Sequence, residues 1–153
     1  MLKTGKGVSY INYNEGLLSF IHKNAAMGVT TIPQVMQLPQ SRAMGDALNA
    51  QLSEYRAITA QAQQYANARG QVLPSPGAAS RAMSTAALRA RTSLDPSTSR
   101  LAELMIRDST SGAVQITRKL HQYGNRADSE LRALGDRLLQ IQEQNIRQMK
   151  RFL

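Results

Sequence analysis

The sequence predicts an all-α fold, an antiparallel four-helix bundle, from three observations. Apolar residues recur every three or four positions over four long segments, which is the spacing of a buried helical stripe. Aromatic residues make up only 5% and Trp is absent, a composition that favours helix over sheet. The stripe of the first segment also matches that of the third, 84 positions later, so two related hairpins are expected. The matched positions are Leu17 and Leu101, Ile21 and Met105, Asn24 and Asp108, Gly28 and Gly112, Ile32 and Ile116, and Met36 and Leu120.

Composition limits the classes of function. The 153 residues fit one domain that can bury a core, and no apolar run approaches the roughly 20 residues of a membrane span. The basic N-terminus is not followed by the apolar segment of a signal peptide, so a cytoplasmic location is expected. Because the chain has no Cys, disulfides, thiolate metal sites and cysteine nucleophiles are excluded.

The first helix is predicted from about Glu15 to Gln37. Residues 1–13 contain glycine breaks and no periodicity, and they are therefore expected to form a flexible arm ahead of a single bundle domain over 14–153. Asn14 is typical of a helix N-cap. Pro33 is expected to kink the last turns, and Pro39 to end the helix.

The second helix is predicted from Arg42 to Ala68. Ser41 can cap its start and Gly70 suits the position just after its end. Since only a short link precedes it, helices one and two should be antiparallel neighbours. Its inward stripe is expected to be Met44, Leu48, Leu52, Tyr55, Ile58 or Thr59, Ala62 and Tyr65.

The connection between the second and third helices is unusually long. Pro- and Gly-rich stretches bound an Ala-rich segment, Ala78 to Arg91, which is predicted to form a short helix. A connection of this length lets the chain run the full length of the bundle. That is the crossover found in ferritin-like bundles, whereas an up-and-down bundle does not need it.

The third helix is predicted to start at a Ser97 or Ser99 cap and to end at Gly124. Asn125 with Asp128 resembles a capping box for the fourth helix, which is expected to run to the C-terminus. The inward stripe of that helix is predicted to be Leu131, Leu134, Leu138, Ile141, Asn145, Met149 (or Gln148) and Phe152.

Four segments have patterns found in a known group of proteins. They are N-A-x-M-G-V-x-T-I from Asn24 to Ile32, L-x-x-Q-L-x-E-Y from Leu48 to Tyr55, A-E-L-M-I-x-x-S-T-x-G from Ala102 to Gly112, and N-I-x-x-M-K-R-F-L from Asn145 to Leu153. In these segments the chain resembles small uncharacterised ferritin-like bundle proteins of Gram-positive anaerobic bacteria. The resemblance covers nearly the whole chain and implies a four-helix bundle with a helical crossover, and it carries no established activity.

A di-metal centre is not expected. Such a centre in a ferritin-like bundle uses a Glu from each of two helices and a Glu-x-x-His motif from each of the other two. The only histidines, His22 and His121, follow Ser19 and Arg118 at that spacing, so the motif is missing. Both are expected to be ordinary surface or boundary residues. The sequence therefore predicts no catalytic, cofactor-binding or metal-ligating residue, and no enzyme.

Four polar residues interrupt the apolar stripes: Asn24, Tyr55, Asp108 and Asn145. They are expected to approach one another near the middle of the bundle. One interpretation is a hydrogen-bond network that fixes how the helices align, since an unpaired buried polar group costs about 1–3 kcal/mol. The other is a pocket for a small ligand or single ion, or a vestige of an ancestral metal site. We favour the network.

Three functions therefore remain open. The first is a non-enzymatic structural or interaction bundle without a cofactor, working as a homodimer or with an unidentified protein. The second is a degenerate metal- or ligand-binding bundle. The third uses the net charge of +9 to bind nucleic acid or acidic membrane without specificity. The arginines are scattered and no nucleic-acid motif is present, which argues against nucleic acid; membrane contact through the basic C-terminal turn would be weak.

Overall fold

A computed structural model of the chain describes residues 2–74 and 97–153, with the backbone alone over 2–12. These residues form four helices and no strand, which confirms the predicted all-α bundle. The short crossover helix predicted within 78–91 lies outside the described residues. The helices are α1 (Leu2–Met36), α2 (Arg42–Ala68), α3 (Thr98–Tyr123) and α4 (Ser129–Met149), followed by a 3-10 turn over Lys150–Phe152.

Helix α1 begins much earlier than the sequence predicted. It starts at Leu2, so the expected arm over 1–13 is helical from its second residue. Asn14 does not cap this helix. Its Oδ1 accepts a hydrogen bond from the backbone N–H of Asp128 at 2.9 Å, just before α4. Extending a helix costs less than nucleating one, and the first proline is Pro33, so nothing forces a start at Glu15.

The ends of α2 and the start of α3 lie where the sequence placed them. Ser41 Oγ accepts a hydrogen bond from the N–H of Met44 at 3.2 Å, and Ser97 Oγ accepts one from Arg100 at 3.1 Å. Gly70 follows α2 with a φ of 66°, the left-handed conformation that only glycine adopts at little cost. These predictions are confirmed. Each of these helix ends depends on residues close by in the sequence, which is why the sequence alone could place it.

The predicted capping box before α4 is wrong. Asp128 occupies the cap position but its side chain makes no cap hydrogen bond. Its carboxylate instead accepts a hydrogen bond from the Tyr65 hydroxyl, and Arg69 lies 3.7 Å from the same carboxylate. Burial, followed by the neighbouring Asp128, raises the pKa of Tyr65. Asp128 thus ties the end of α2 to the start of α4.

The helices pack as two hairpins, α1 with α2 and α3 with α4, in which α1 also contacts α3 and α2 contacts α4. Specific contacts give the directions. Ser41 and Thr98 are joined by a 3.3 Å hydrogen bond at one end of the bundle, while the rings of Tyr13 and Tyr123 meet at the other, 5.8 Å apart. Helices α2 and α3 therefore run parallel. The connection between them joins opposite ends of the bundle.

Burial follows the same repeat in both hairpins. Helices α1 and α3 match at a spacing of 84 positions, and α2 and α4 match at 87, with both members of each pair buried. The pairs are Leu17/Leu101, Leu18/Ala102, Ile21/Met105, Ala25/Ser109, Ile32/Ile116, Met44/Leu131, Ala47/Leu134, Leu48/Gly135, Gln51/Leu138, Tyr55/Gln142, Ile58/Asn145 and Ala62/Met149. The two hairpins thus bury many equivalent positions. No helix among the described residues has the length and apolar character needed to cross a membrane.

Candidate functional site: a groove between α1 and α3

Gly28 and Gly112 each make room for a large side chain. A Cβ on Gly28 would lie 2.6–2.9 Å from the ring of Tyr55, which reaches it from α2. A Cβ on Gly112 would lie 2.9 Å from Cδ of Gln142, which reaches it from α4. Each glycine therefore receives a side chain from the second helix of its own hairpin, at equivalent positions of the repeat.

Two hydrogen bonds join these side chains to the rest of the interior. Asn145 Nδ2 donates to the Tyr55 hydroxyl at 3.3 Å, and Gln142 Nε2 donates to Asn24 Oδ1 at 2.6 Å. Burial raises the pKa of Tyr55, and the charge of Asp108 raises it further; side-chain hydrogen bonds from Asn145, Gln142 and Ser109 act in the opposite direction. Tyr55 is therefore a neutral phenol that links α2 to α4.

A groove of about 490 Å³ opens between α1 and α3 above these side chains. Its floor is formed by Tyr55 and Gln142 where they lie against the two glycines. Its walls are mostly apolar and its rim is polar. The lining residues are Phe20, Lys23, Asn24, Met27, Gly28, Thr31, Ile32, Tyr55, Met105, Asp108, Ser109, Ser111, Gly112, Gln115 and Gln142.

Three of the four predicted site residues, Asn24, Tyr55 and Asp108, line this one groove. Asn145, the fourth, is buried beside Tyr55. Asp108 was expected on the inward face, but it is exposed, because Ser109 and Gly112 are the α3 residues turned to the interior.

Sequence reasoning missed Gln142. It lies three residues before Asn145 and four after Leu138, so it shares the inward face of α4. That spacing was the available signal. The prediction assigned the neighbouring Ile141 to the inward stripe of α4 and therefore left out Gln142, although both side chains are buried.

The Gln142 amide makes a hydrogen bond through only one of its two polar atoms. The side chain is 2% exposed, and while Nε2 donates to Asn24, Oε1 is buried without a hydrogen-bond partner. Buried polar atoms in folded proteins are nearly always paired. This oxygen is enclosed by protein atoms and is not open to the groove.

The histidines do not join this site. His22 is half-buried on α1, and His121 is exposed near the end of α3. In the part of the chain that the structure describes, no three His, Asp or Glu side chains lie close enough together to hold a metal ion.

Acid should destabilise the protein partly through His22. Burial lowers the pKa of His22 below 6.5, so the unfolded chain takes up this proton more readily than the folded protein. The contribution of His22 to stability is complete above pH 6.5 and is lost as the pH falls through the lowered value. Urea unfolding on both sides of pH 6.5 should show a smaller acid loss for His22→Gln than for the wild type. His121→Gln is the matched exposed control, and an identical acid loss in wild type and His22→Gln would contradict this assignment.

Comparisons of the chain with protein-family models, with curated proteins and with solved structures found no match. The fold and the groove define it as a helical bundle of two similar hairpins with a few polar side chains in an apolar interior.

Proposed function

We propose that the chain is a ferritin-like bundle in which a hydrogen-bond network replaces the di-metal site, and that it serves as a non-enzymatic structural or protein-interaction module. Two antiparallel hairpins with parallel second and third helices are the arrangement of ferritin-like bundles, which use one lengthwise crossover. The helix order and directions support the ferritin-like part of this proposal.

The observation that carries the proposal is the set of residue types at the centre. Ferritin-like metal centres take one Glu from each of two helices and Glu-x-x-His from each of the others. Here α1 presents Asn24 to Gln142, and α3 carries at the equivalent position Asp108, which is exposed. Helices α2 and α4 present Tyr55 with Ile58, and Gln142 with Asn145, at the same three-residue spacing. Amides and a neutral phenol bond to one another and are poor substitutes for the carboxylates that hard metal ions prefer.

The proposed role is to hold two hairpins in one fixed alignment and to present their outer faces. The bonds from α4 to Asn24 on α1 and to Tyr55 on α2 fix how the hairpins meet, because a shift of one turn would leave buried polar atoms unpaired. Val114 on α3 is exposed, and Met27 on α1 is exposed at the groove. They support contact with a second copy or another protein.

Elemental analysis tests the proposal. Protein exposed to iron(II), manganese(II) or zinc(II) and then desalted should carry far less than one metal ion per chain. A variant with the full ligand motif restored should bind about two ions per chain, because the same positions then supply carboxylates and imidazoles. The substitutions are Asn24→Glu, Asp108→Glu, Tyr55→Glu, Ile58→His, Gln142→Glu and Asn145→His.

A control variant carries only Asn24→Glu and Asp108→Glu, which leaves both Glu-x-x-His motifs incomplete. It should stay close to the wild type in metal content. Stoichiometric metal in the wild-type protein would contradict the proposal. A folded motif-restored variant that binds no metal would show that these positions do not correspond to a ferritin-like centre.

A further inference from the structure

We propose that the end of the bundle where α2 and α3 begin and α4 ends is a docking surface for a membrane that contains acidic phospholipids. This surface is called the basic end and is defined by five residues, Arg42, Arg100, Arg147, Lys150 and Arg151. It goes beyond the proposed structural role and does not depend on it.

Three helices bring these bases to one end of the bundle. The backbone N–H of Ser41, just before α2, donates to Thr98 Oγ1 at 3.3 Å, so the starts of α2 and α3 lie side by side. Because α3 and α4 are antiparallel neighbours, the 3-10 turn that carries Lys150 and Arg151 also lies at this end, packed against α3. The C-terminal turn is therefore joined by one base from the first turn of α2 and one from that of α3.

Positive charge at the basic end is not balanced nearby. The first turns of α2 and α3 and the 3-10 turn contain no acidic residue, and the last turn of α4 is basic. Arg42, Lys150 and Arg151 are exposed and form no ion pair within the described part of the chain. On the sides of the bundle, by contrast, Arg69 and Arg137 each lie near a carboxylate. The basic end is thus a local source of attraction for an anionic surface.

Arg42 is the most informative of these bases. It is the first residue of α2, where the positive end of the helix dipole disfavours a cation and favours an acid. Arg100 in the first turn of α3 has Glu103 at 2.8 Å, which offsets the same repulsion. Arg42 has no such ion pair among the described residues. Helix stability therefore does not account for Arg42, whereas attraction to an external anionic surface does.

An exposed leucine beside the bases favours a membrane over other polyanions. Phe152 is half-buried against the core and holds the turn in place, while Leu153 next to it is 64% exposed. Bases adjacent to an exposed apolar side chain are typical of segments that lie at a membrane interface, where the apolar group enters the acyl boundary. The phosphates of nucleic acid would also attract the bases, but a duplex backbone offers no apolar contact to Leu153.

Flotation of the full chain with lipid vesicles tests the proposal. The protein should bind vesicles made of equal parts of phosphatidylcholine and phosphatidylserine, and should not bind phosphatidylcholine alone. Each base near an acidic membrane contributes roughly five-fold to affinity, and salt screens this attraction, so binding should weaken steeply between low and physiological salt. Equal binding to both kinds of vesicle, or binding to neither at low salt, would overturn the proposal.

Arg42→Glu should weaken binding to the acidic vesicles about 5- to 25-fold, because it removes a base and adds an acid. It should also make the protein more resistant to urea, since an acid is favoured at the start of α2, so the lost binding cannot come from unfolding. Arg56→Glu makes the same charge change at an exposed position in the middle of α2 and should stay within about two-fold of the wild type. An equal loss in both variants would mean that net charge alone matters, and the basic end would then not be the docking surface.

Leu153→Ala separates a membrane from nucleic acid. It should lower the affinity for acidic vesicles roughly 3- to 10-fold, because less apolar surface enters the membrane. Thermal unfolding followed by circular dichroism should stay close to that of the wild type, since the side chain is exposed. Duplex DNA of random sequence is the competing ligand. If the protein binds this DNA as tightly as the acidic vesicles and Leu153→Ala changes neither affinity, the basic end is a nucleic-acid surface and the membrane proposal is wrong.

Discussion

Replacing Gly28 by Val should lower the free energy of unfolding by about 2–3 kcal/mol, the usual cost of forcing extra atoms into a packed interior. The Tyr55 ring already lies within 2.6–2.9 Å of where a Cβ would stand. Tyr55 cannot move aside easily because it is buried and its hydroxyl accepts a hydrogen bond from Asn145. Urea unfolding of the two proteins measures the difference.

Two further variants separate the clash from helix propensity. In a Tyr55→Ala background the ring is absent, so Gly28→Val should cost close to nothing, and the two substitutions should be strongly non-additive. Gly45→Ala is the matched control on α2. A Cβ there meets only Gln40 Nε2 at 3.8 Å, so the change should stabilise the protein by about 0.5–1 kcal/mol. A Gly28→Val variant as stable as the wild type would show that Tyr55 does not lie on Gly28.

Leu17→Ala and Leu101→Ala should each lower the free energy of unfolding by about 3–5 kcal/mol. Both leucines are fully buried at equivalent positions of the repeat, so each truncation removes apolar contacts and leaves a cavity. Because domains of this kind are stable by only about 5–15 kcal/mol, either substitution should remove a large part of the stability. Thermal and urea unfolding give the size of the loss.

Leu153→Ala is the control for the two leucines, since it makes the same substitution at a side chain that is 64% exposed. Its effect should stay within about 0.5 kcal/mol. A large loss at Leu101 with little loss at Leu17 would mean that the two hairpins do not share one core arrangement.

The sequence predicted best the features that neighbouring residues determine. Helix α2 has the predicted bounds because Ser41 caps one end and Gly70 takes the left-handed conformation after the other. The repeat was visible at 84 positions because apolar spacing on α1 and α3 reflects burial directly. The matching repeat on α2 and α4, at a spacing of 87 positions, could not be seen in the sequence. Tyr55 and Gln142 are both buried at equivalent positions, as are Ile58 and Asn145, but the residue types of each pair differ.

Features that depend on contacts between distant helices could not be predicted locally. Asn14 and Asp128 are both of residue types that often cap helices. Each instead makes a hydrogen bond with a residue more than 60 positions away in the sequence. For the candidate site, the sequence placed Asn24, Tyr55 and Asn145 near one another. It also placed Asp108 on the inward face of α3, where the next residue, Ser109, lies instead. A helix rotation of one position, about 100°, decides whether Asp108 or Ser109 faces the interior, and periodicity alone does not resolve it.

The two distances from the start of α3 to each end of α2 test the arrangement of the two hairpins most directly. Because the chain has no natural Cys, spin labels can be attached to cysteines introduced at exposed Ser99 together with either Arg42 or Asn67. Pulsed electron paramagnetic resonance should give a short distance for the pair with Arg42. The pair with Asn67 should be separated by roughly 35–40 Å, the rise of α2 between the two positions. The opposite order, with Asn67 near Ser99 and Arg42 far from it, would show that α2 and α3 are antiparallel and would contradict the fold.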